Sequence, residues 1–215
     1  YTIYDGTSWK VRYLNEHQGS IFEIDGDGGD TLFVSGNNGI LVGYDGTNFF
    51  RIENDLQEDI LGMAFANDTL KFGTEHALRQ YVDGQVIPEF SPDAPQAFRL
   101  EGRYYDIWHS GAAWWYATSR GLYHFSPDSG YVQMTDRAVY TIAGNGENDV
   151  VAVEATGEAI YHWNGARITK MAFPEVPVES PIRLESIAMK GDQVIIVGWV
   201  VNTFGNGIIV TGKRK

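Results

Sequence analysis

Short turn signals recur at a nearly constant interval along the whole chain. Asp-Gly or Asn-Gly pairs stand at residues 5–6, 45–46, 83–84 and 164–165, and Ser129-Gly130 fills the remaining gap. Their glycines are 40, 38, 46 and 35 residues apart. Such pairs favour the type I′ turn of a β-hairpin, because both central residues of that turn need a positive φ. The spacing therefore predicts a structural repeat of roughly 40 residues that contains a hairpin.

A second landmark runs in phase with these turns. It is a small residue followed by an apolar one, and it opens a predicted strand at Gly39, Ala77, Gly121, Ala159 and Gly207. Two short apolar segments precede it in every unit, and the turn and an outer strand follow it, so each unit holds four strands. Four strands in such a unit are typical of a β-propeller blade, and no sustained 3.6-residue period predicts a helix. The sequence thus predicts an all-β fold, a five-bladed β-propeller of four-stranded antiparallel blades.

The ends of the chain bear on how this ring closes. We expect one domain, 1–215, with repeats at approximately 15–52, 53–90, 91–134, 135–171 and 172–215. The fifth unit stops after its third strand, whereas residues 4–9 repeat the turn and outer strand of residues 44–49. Residues 1–14 are therefore predicted to complete the C-terminal blade with its fourth strand. Because residues 1–3 resemble a third strand that the C-terminus already provides, a larger ring is an alternative.

The blade pattern resembles that of a known group of repeats. Residues 30–34, 36–41 and 44–49 form one such unit and residues 114–125 another, with the order turn, apolar strand, glycine corner, strand, Asp-Gly-Thr turn and aromatic residue. This order resembles bacterial β-propeller repeats of the BNR, two-component-regulator and YVTN type. The resemblance implies a fold, not an activity. The Asp-box of sialidases is not matched, because Asp5 and Gly6 are adjacent.

Charge and composition exclude several classes of partner. The chain has 28 acidic against 16 basic residues, a formal net charge of −12, so it lacks the basic surface that nucleic acids require. No apolar run approaches the ~20 residues that span a bilayer, so no membrane insertion is expected. The absence of cysteine removes disulfides and thiolate metal sites. The compartment stays open, and an extracytoplasmic location or a place in a larger assembly fits equally.

One loop has the residue types of a cation site. Asp25, Asp27 and Asp30 lie in a Gly-rich segment and offer the hard oxygen ligands that Ca²⁺ prefers. The alternative is a plain Gly/Asp turn, since a hairpin stands at this place in every unit and the glutamate that ends an EF-hand loop is missing. We expect no other cofactor.

Carboxylates on the innermost strands raise the alternative of a glycosidase-like enzyme. The candidates by position are Glu23, Asp25, Asp59, Asp106 and Glu185. A glycosidase needs two carboxyl groups at a set separation, one of them with a raised pKa, and a sequence supplies neither quantity. The repeats are also too compact for the extended loops of such enzymes, so we favour a protein without catalytic activity.

Aromatic residues raise the alternative of a carbohydrate-binding propeller. The last three units contain most of the tryptophans: Trp108, Trp114, Trp115, Trp163 and Trp199. Sugar rings stack on exposed indoles, but most propeller tryptophans fill the space between neighbouring sheets. Glycan binding therefore ranks behind protein binding.

The leading interpretation is a non-enzymatic scaffold that binds a protein partner, or forms part of a larger cell-envelope or virion structure. Recognition usually lies in loops held by a rigid frame. The loops at one face of the predicted disc give the candidate binding residues Asn37, Asn38, Glu75, His76, Arg103, Tyr104, Arg120, Asn202 and Asn206. The proline-bearing connections at residues 91–103 and 172–183 are the most distinctive walls of that face, and they bring Arg103 and Arg183 to its rim.

Overall fold

The computed structural model describes residues 2–4, 7–11, 19–27, 29–90, 102–157, 159–172, 181–201 and 206–213. All regular elements in these ranges are β-strands. An N-terminal hairpin contains β1 (Thr2–Tyr4) and β2 (Trp9–Val11). The first blade contains β3 (Ile21–Gly26), β4 (Thr31–Gly36), β5 (Leu41–Asp45) and β6 (Phe49–Arg51). The second contains β7 (Gly62–Ala66), β8 (Thr69–Gly73), β9 (Leu78–Val82) and β10 (Gln85–Pro88).

The remaining three blades follow the same plan. The third contains β11 (Tyr104–Ser110), β12 (Ala113–Thr118), β13 (Gly121–Ser126) and β14 (Gly130–Thr135). The fourth contains β15 (Val139–Gly146), β16 (Asp149–Glu154), β17 (Ala159–Trp163) and β18 (Ile168–Ala172). The fifth contains β19 (Ile182–Lys190), β20 (Gln193–Val200) and β21 (Gly207–Lys213).

Each blade is a meander in which sequential strands pair antiparallel, as far as the structure describes them. The first strand of every blade lies innermost, and these inner strands pack side by side in the order β3, β7, β11, β15 and β19. The predicted fold class is confirmed: the chain is an all-β, five-bladed β-propeller. The fold could be predicted from the sequence repeat because a blade is a local structure, made of strands that are adjacent in the chain.

The hydrophobic core lies between the blades and not inside any one of them. Both faces of a middle strand are therefore buried, as in β12, where all six residues are buried. Trp115 of β12 packs with Ile142 and Val150 of the fourth blade, and Tyr116 on its other face packs towards Ala64 of the second. Blades thus stabilise one another through their faces.

Four of the five inner strands carry a β-bulge at the same place, close to where the strand begins. The register shifts lie between Ile21 and Glu23 in β3, and at equivalent points in β11, β15 and β19. The extra residues are Phe22, Tyr105, Tyr140 and Glu185. β7 has a regular register, and Leu61 stands directly before it at the corresponding point. A bulge leaves its extra residue outside the ladder and re-aims the side chain.

The glycine turns do mark hairpins, but most of them are not the predicted type I′. Only Asp83-Gly84 has positive φ at both central residues, 50° and 79°. At Asp45-Gly46 only the glycine has positive φ, and Asp45 instead accepts hydrogen bonds through its Oδ1 from the N–H groups of Thr47 and Asn48. The side-chain oxygen thus closes the turn, which removes the need for a second left-handed residue. Asp5-Gly6 lies outside the described residues.

Closure by the N-terminus is not confirmed. β2 pairs with β1 in the register Tyr4 opposite Trp9, which matches Tyr44 opposite Phe49 in the first blade. Within the described ranges β1 and β2 form a two-stranded sheet of their own, and β19, β20 and β21 form a three-stranded one. The fourth strand of the last blade remains a prediction.

Candidate functional site

A cavity of about 670 Å³ lies at the centre of the propeller. The inner strands of all five blades contribute to its wall, from Glu23 in the first blade to Glu185 in the fifth. A site here is held by strands and not by loops, so its side chains are positioned by the sheet ladders.

The bulge residues form the mouth of this cavity. Phe22, Tyr105, Tyr140 and Glu185 all line it, together with Leu61 from the blade that has no bulge. The aromatic rings of Tyr105 and Tyr140 are 4.9 Å apart between centroids. We call these five residues the mouth ring. It combines three aromatic side chains, one aliphatic side chain and one carboxylate.

Arg183 bridges the mouth ring on the side of the fifth blade. Its guanidinium donates a 3.1 Å hydrogen bond to the hydroxyl of Tyr140, and lies 5.3 Å from the centre of that ring and 5.7 Å from that of Trp199. Its Nε is 2.9 Å from Oε1 of Glu185. A guanidinium between two aromatic faces and a carboxylate holds a fixed orientation, because each contact restricts a different direction.

Behind the mouth ring the cavity wall is acidic. Burial, the charge of Asp106 and the charge of Asp25 together raise the pKa of Glu23 to about 8, so this carboxyl holds its proton at neutral pH. Burial raises the pKa of Asp106 to about 6, although this carboxyl accepts hydrogen bonds from the N–H of Ile142 and the hydroxyl of Thr141. Both carboxyl groups therefore keep their protons to a higher pH than an exposed carboxyl group does.

Close packing of the inner strands needs a glycine at one point of this wall. A Cβ on Gly62 would lie 2.7 Å from the Cα of Asp106 in the next blade. The backbone of β7 can therefore approach β11 only without a side chain at this position. That approach places Asp106 where its carboxyl group reaches the cavity.

The structure places most of the predicted corner residues at the same end of the blades as the mouth ring, where they form hydrogen bonds or ion pairs with residues of the connections between blades. The N–H of Asn38 donates to Asp59, Nδ1 of His76 lies 3.2 Å from Oε1 of Glu58, and Arg103 binds Glu75 at 3.1 Å. Asn37 accepts a hydrogen bond from the N–H of Ser20. Of this set, Arg103 also lines the cavity.

Four predicted binding residues remain. Tyr104 is buried between the second and third blades and packs with Leu78, so its side chain does not reach the mouth. Arg120 and Asn206 are exposed at the corners of the third and fifth blades, and Asn202 lies outside the described residues. The binding role of the exposed corner residues stays a prediction.

Tyr105 and Tyr140 line the cavity and were not among the predicted binding residues. The signal that could have found them is an aromatic residue directly before the first polar residue of the inner strand. It occurs at Phe22 before Glu23, at Tyr105 before Asp106 and at Tyr140 before Thr141. The prediction considered the loops at one face of the disc, whereas these residues stand at bulges of the inner strands, which re-aim a side chain.

Two aspartates of the candidate calcium loop accept hydrogen bonds, Asp27 from within the loop and Asp25 from the neighbouring blade. Asp27 accepts hydrogen bonds from the N–H groups of Gly29 and Thr31, as in a turn, and Asp25 accepts one from the N–H of Phe65. No three His, Cys, Asp or Glu side chains of the described residues are grouped as metal ligands. Calcium binding remains a prediction, and this geometry gives it no support.

Comparison with solved structures identifies the same fold in several proteins. The chain is similar to streptogramin B lyase (TM-score 0.70, 13% identity, 98% of this chain and 74% of that one). It is similar to the extracellular domain of the putative one component system BT4673 from B. thetaiotaomicron (0.68, 15%, 87% and 26%). It is also similar to YCF48 bound to D1 peptide (0.63, 14%, 98% and 69%).

These likenesses show the fold alone, because all the identities are low. The chain spans about a quarter of the length of the BT4673 domain that it matches. No protein-family model matches the sequence. No curated protein sequence matches it either. In the part of the chain that the structure describes, no helix has the length and apolarity to cross a membrane.

Proposed function

We propose that this chain is a non-enzymatic β-propeller scaffold that binds a segment of a protein partner at the mouth ring. The observation that carries the proposal is the ring itself. Three aromatic side chains, Arg183 and Glu185 meet at one opening, on inner strands whose neighbours fix them in place. A polypeptide segment offers the apolar side chains and amide groups that such a surface recognises.

The residue types at the mouth are those that dominate protein interfaces. Tyr, Trp and Arg are enriched among the residues that contribute most to binding, and Tyr and Trp bury a large area at a small cost in side-chain entropy. Tyr140 already contacts both Tyr105 and Arg183 in the free chain. Binding therefore loses little conformational freedom at these side chains.

Two of the similar structures give a context for this proposal. YCF48 is a propeller of the same kind whose structure was solved with a peptide bound, which shows that the fold accommodates such a ligand. Streptogramin B lyase is named as an enzyme, so the fold alone does not decide whether a chain is an enzyme or a binding scaffold. The likeness to an extracellular domain supports an extracytoplasmic location as a further part of the proposal.

Selection from a displayed peptide library tests the proposal. The full chain is immobilised, peptides are enriched, and the dissociation constant of the best peptide is measured for three proteins: the parent, Tyr105→Ala and Arg183→Ala. We expect each substitution to weaken binding by about tenfold or more, the effect of losing one central contact. Arg167→Ala is the matched control, because Arg167 is exposed in the outer turn between β17 and β18.

Two outcomes of this experiment would contradict the proposed peptide site. If no peptide is enriched, or if Arg167→Ala weakens binding as much as Arg183→Ala, the mouth ring is not the peptide site. Circular dichroism melting of each variant shows whether a loss of binding reflects a loss of fold.

A saccharide is the second candidate ligand, favoured by the neighbouring tyrosine rings. Tyr105 and Tyr140 offer faces for a sugar ring, and the protonated Glu23 in the same cavity is a hydrogen-bond donor at neutral pH. A glycan array probed with the same four proteins compares the two ligands. Enrichment on the array that Tyr105→Ala abolishes, with no enriched peptide, would replace the protein partner by a glycan.

A further inference from the structure

Three carboxyl groups lie close enough to influence one another in the wall of the central cavity. Glu23 and Asp25 are two residues apart on β3, so they face the same side of the first blade, and Asp106 lies on β11 of the third. The charges of Asp106 and Asp25 both act on Glu23, and the charge of Asp25 also acts on Asp106. We call these three residues the inner carboxyl cluster.

The two arginines that line the same cavity already have carboxylate partners. Arg103 forms an ion pair with Glu75 at 3.1 Å, and Arg183 forms one with Glu185 at 2.9 Å. Among the described residues, no ion pair includes a member of the inner carboxyl cluster. The free chain therefore leaves this cluster without a positive charge of its own. A buried carboxylate without a cation is costly, and Glu23 avoids that cost by keeping its proton at neutral pH.

The other strands of the wall do not change this balance. The part of the wall that β7 supplies is apolar, with Met63 and Ala64. Burial and the two aspartates are the influences that raise the pKa of Glu23, and a backbone hydrogen bond at Ile24 opposes them. The titratable and charged groups that line the cavity outside the cluster are Arg103, Tyr105, His109, Tyr140, Arg183 and Glu185.

The mouth ring suits the stem of a long basic side chain. Lys and Arg pack their methylene groups on apolar surface while the charged end reaches a polar group, and a cation is attracted to an aromatic face. The ring of Tyr140 already receives the guanidinium of Arg183 at 5.3 Å. The cavity behind it has a volume of about 670 Å³, within the ~300–1,000 Å³ of typical ligand sites. A side chain that passes the mouth can thus place its charge beside the cluster.

We propose that the bound segment inserts a lysine or arginine side chain through the mouth ring, and that its cation pairs with the inner carboxyl cluster. This inference rests on the proposed function, because it needs a polypeptide at the mouth. The formal net charge of −12 also attracts a basic segment over a longer range. An acidic side chain would meet the cluster as a like charge, which lowers affinity.

Insertion of a cation has a consequence for the proton on Glu23. A positive charge beside this carboxyl group favours its ionised form. Since the pKa of Glu23 is about 8 in the free chain, binding at pH 7 should release about one proton from Glu23 to the solvent. Affinity should rise from about pH 7 to about pH 8.5, because lysine and arginine stay charged in that range while Glu23 loses its proton in the free chain as well.

Peptide selection on the full chain at about pH 8.5 tests the insertion. The enriched peptides should share a lysine or arginine at one position, and its replacement by norleucine or citrulline should weaken binding by about tenfold or more. Glu23→Gln should weaken binding of the best peptide by a similar factor at that pH, and by a smaller factor at pH 6, where the parent must first release its proton. Glu53→Gln is the matched control, since it removes a carboxylate whose side chain is 82% exposed.

Titration calorimetry at pH 7 in phosphate and in Tris, buffers with different heats of ionisation, counts the protons. The parent should release about one proton per bound peptide and Glu23→Gln none, a difference that a merely structural role of Glu23 would not produce. Peptides that depend on Tyr105 and Arg183 but lack a basic residue at a fixed position, or release no proton, would overturn the insertion and leave the mouth ring as the peptide site. Selection that enriches no peptide would overturn both proposals.

Discussion

β12 in the third blade and β20 in the fifth hold the same place in their sheets, yet their surroundings differ. All six residues of β12 are buried, whereas β20 alternates between buried and exposed residues. The difference does not come from composition, since Val-Ile-Ile-Val at residues 194–197 is as apolar as any segment of β12. The difference comes from the number of neighbouring blades, since β12 has a blade on each side and β20 packs on the fourth blade with one face only. A residue in this fold is thus buried by the adjacent blade and not by its own sheet.

The largest effect should come from truncating the centre of β12. Trp115→Ala removes a fully buried indole between the third and fourth blades and should lower the free energy of unfolding by about 3–5 kcal/mol. Trp199→Ala on β20 should cost less than about 1 kcal/mol, because nearly half of that residue is already exposed. Urea unfolding measures both. Equal losses would show that the two strands have equivalent environments after all.

The next largest effect should come from Lys71. This residue holds the same place on β8, the middle strand of the second blade, as Ile195 holds on β20 of the fifth. Its ammonium group pairs with the carboxylate of Glu89 in a buried site beside Tyr116 and Tyr131. Lys71→Ala should cost about 3 kcal/mol, because it leaves Glu89 as a buried charge beside the hydroxyl of Tyr131. Ile195→Ala should cost less than about 1 kcal/mol, because Ile195 is 44% exposed.

A double substitution sharpens that result. Lys71→Met combined with Glu89→Gln removes both charges and should recover most of the stability lost in Lys71→Ala. If the double variant is as unstable as the single one, packing and not charge accounts for the loss. Thermal unfolding at pH 7 of the three proteins decides between them.

A further effect, spread over several pH units, is expected from pH. The pKa of Glu23 is about 8 in the folded chain, far above its ordinary value of 4.5, and that of Asp106 is about 6 against 3.8. Between the unfolded and folded values the folded state holds protons that the unfolded state has released. Stability should therefore fall as pH rises from about 4 to about 8. Glu23→Gln should flatten the part of the curve between pH 6 and 8, and an unchanged slope there would contradict the assignment.

The smallest effect separates two adjacent residues of β21. Ile208 faces the fourth blade and is buried, whereas Ile209 is 73% exposed on the outer face. Ile209→Thr should change the stability of the protein by less than about 0.5 kcal/mol, and Ile208→Thr should cost at least about 1 kcal/mol. Hydrogen exchange of the β21 amides, which reports local opening, should show the same order. A reversed order would place the core of the fifth blade on its other face.

The repeat in the sequence predicted the five blades because turns and adjacent strands are local features. The residues of the mouth were harder to predict. Glu185 and Arg103 were identified as channel and rim residues, and both line the cavity. Tyr105 was not identified, because it stands at a bulge, where a single inserted residue changes which side chain faces the core. The exposure of Ile24 and Ile195 could not be foreseen, because in the sequence they look like the buried residues at the same place in other units.

The four bulges have a consequence for how this propeller could change its ligand. Phe22, Tyr105, Tyr140 and Glu185 have no partner in the ladders, and the residues on either side of each keep their register with the middle strand. Substitutions at these four positions would therefore change the chemistry of the opening while the strand pairing of each blade stays intact. If the mouth ring binds a partner as proposed, its specificity could diverge, by selection or by design, without a change in the pairing of the strands.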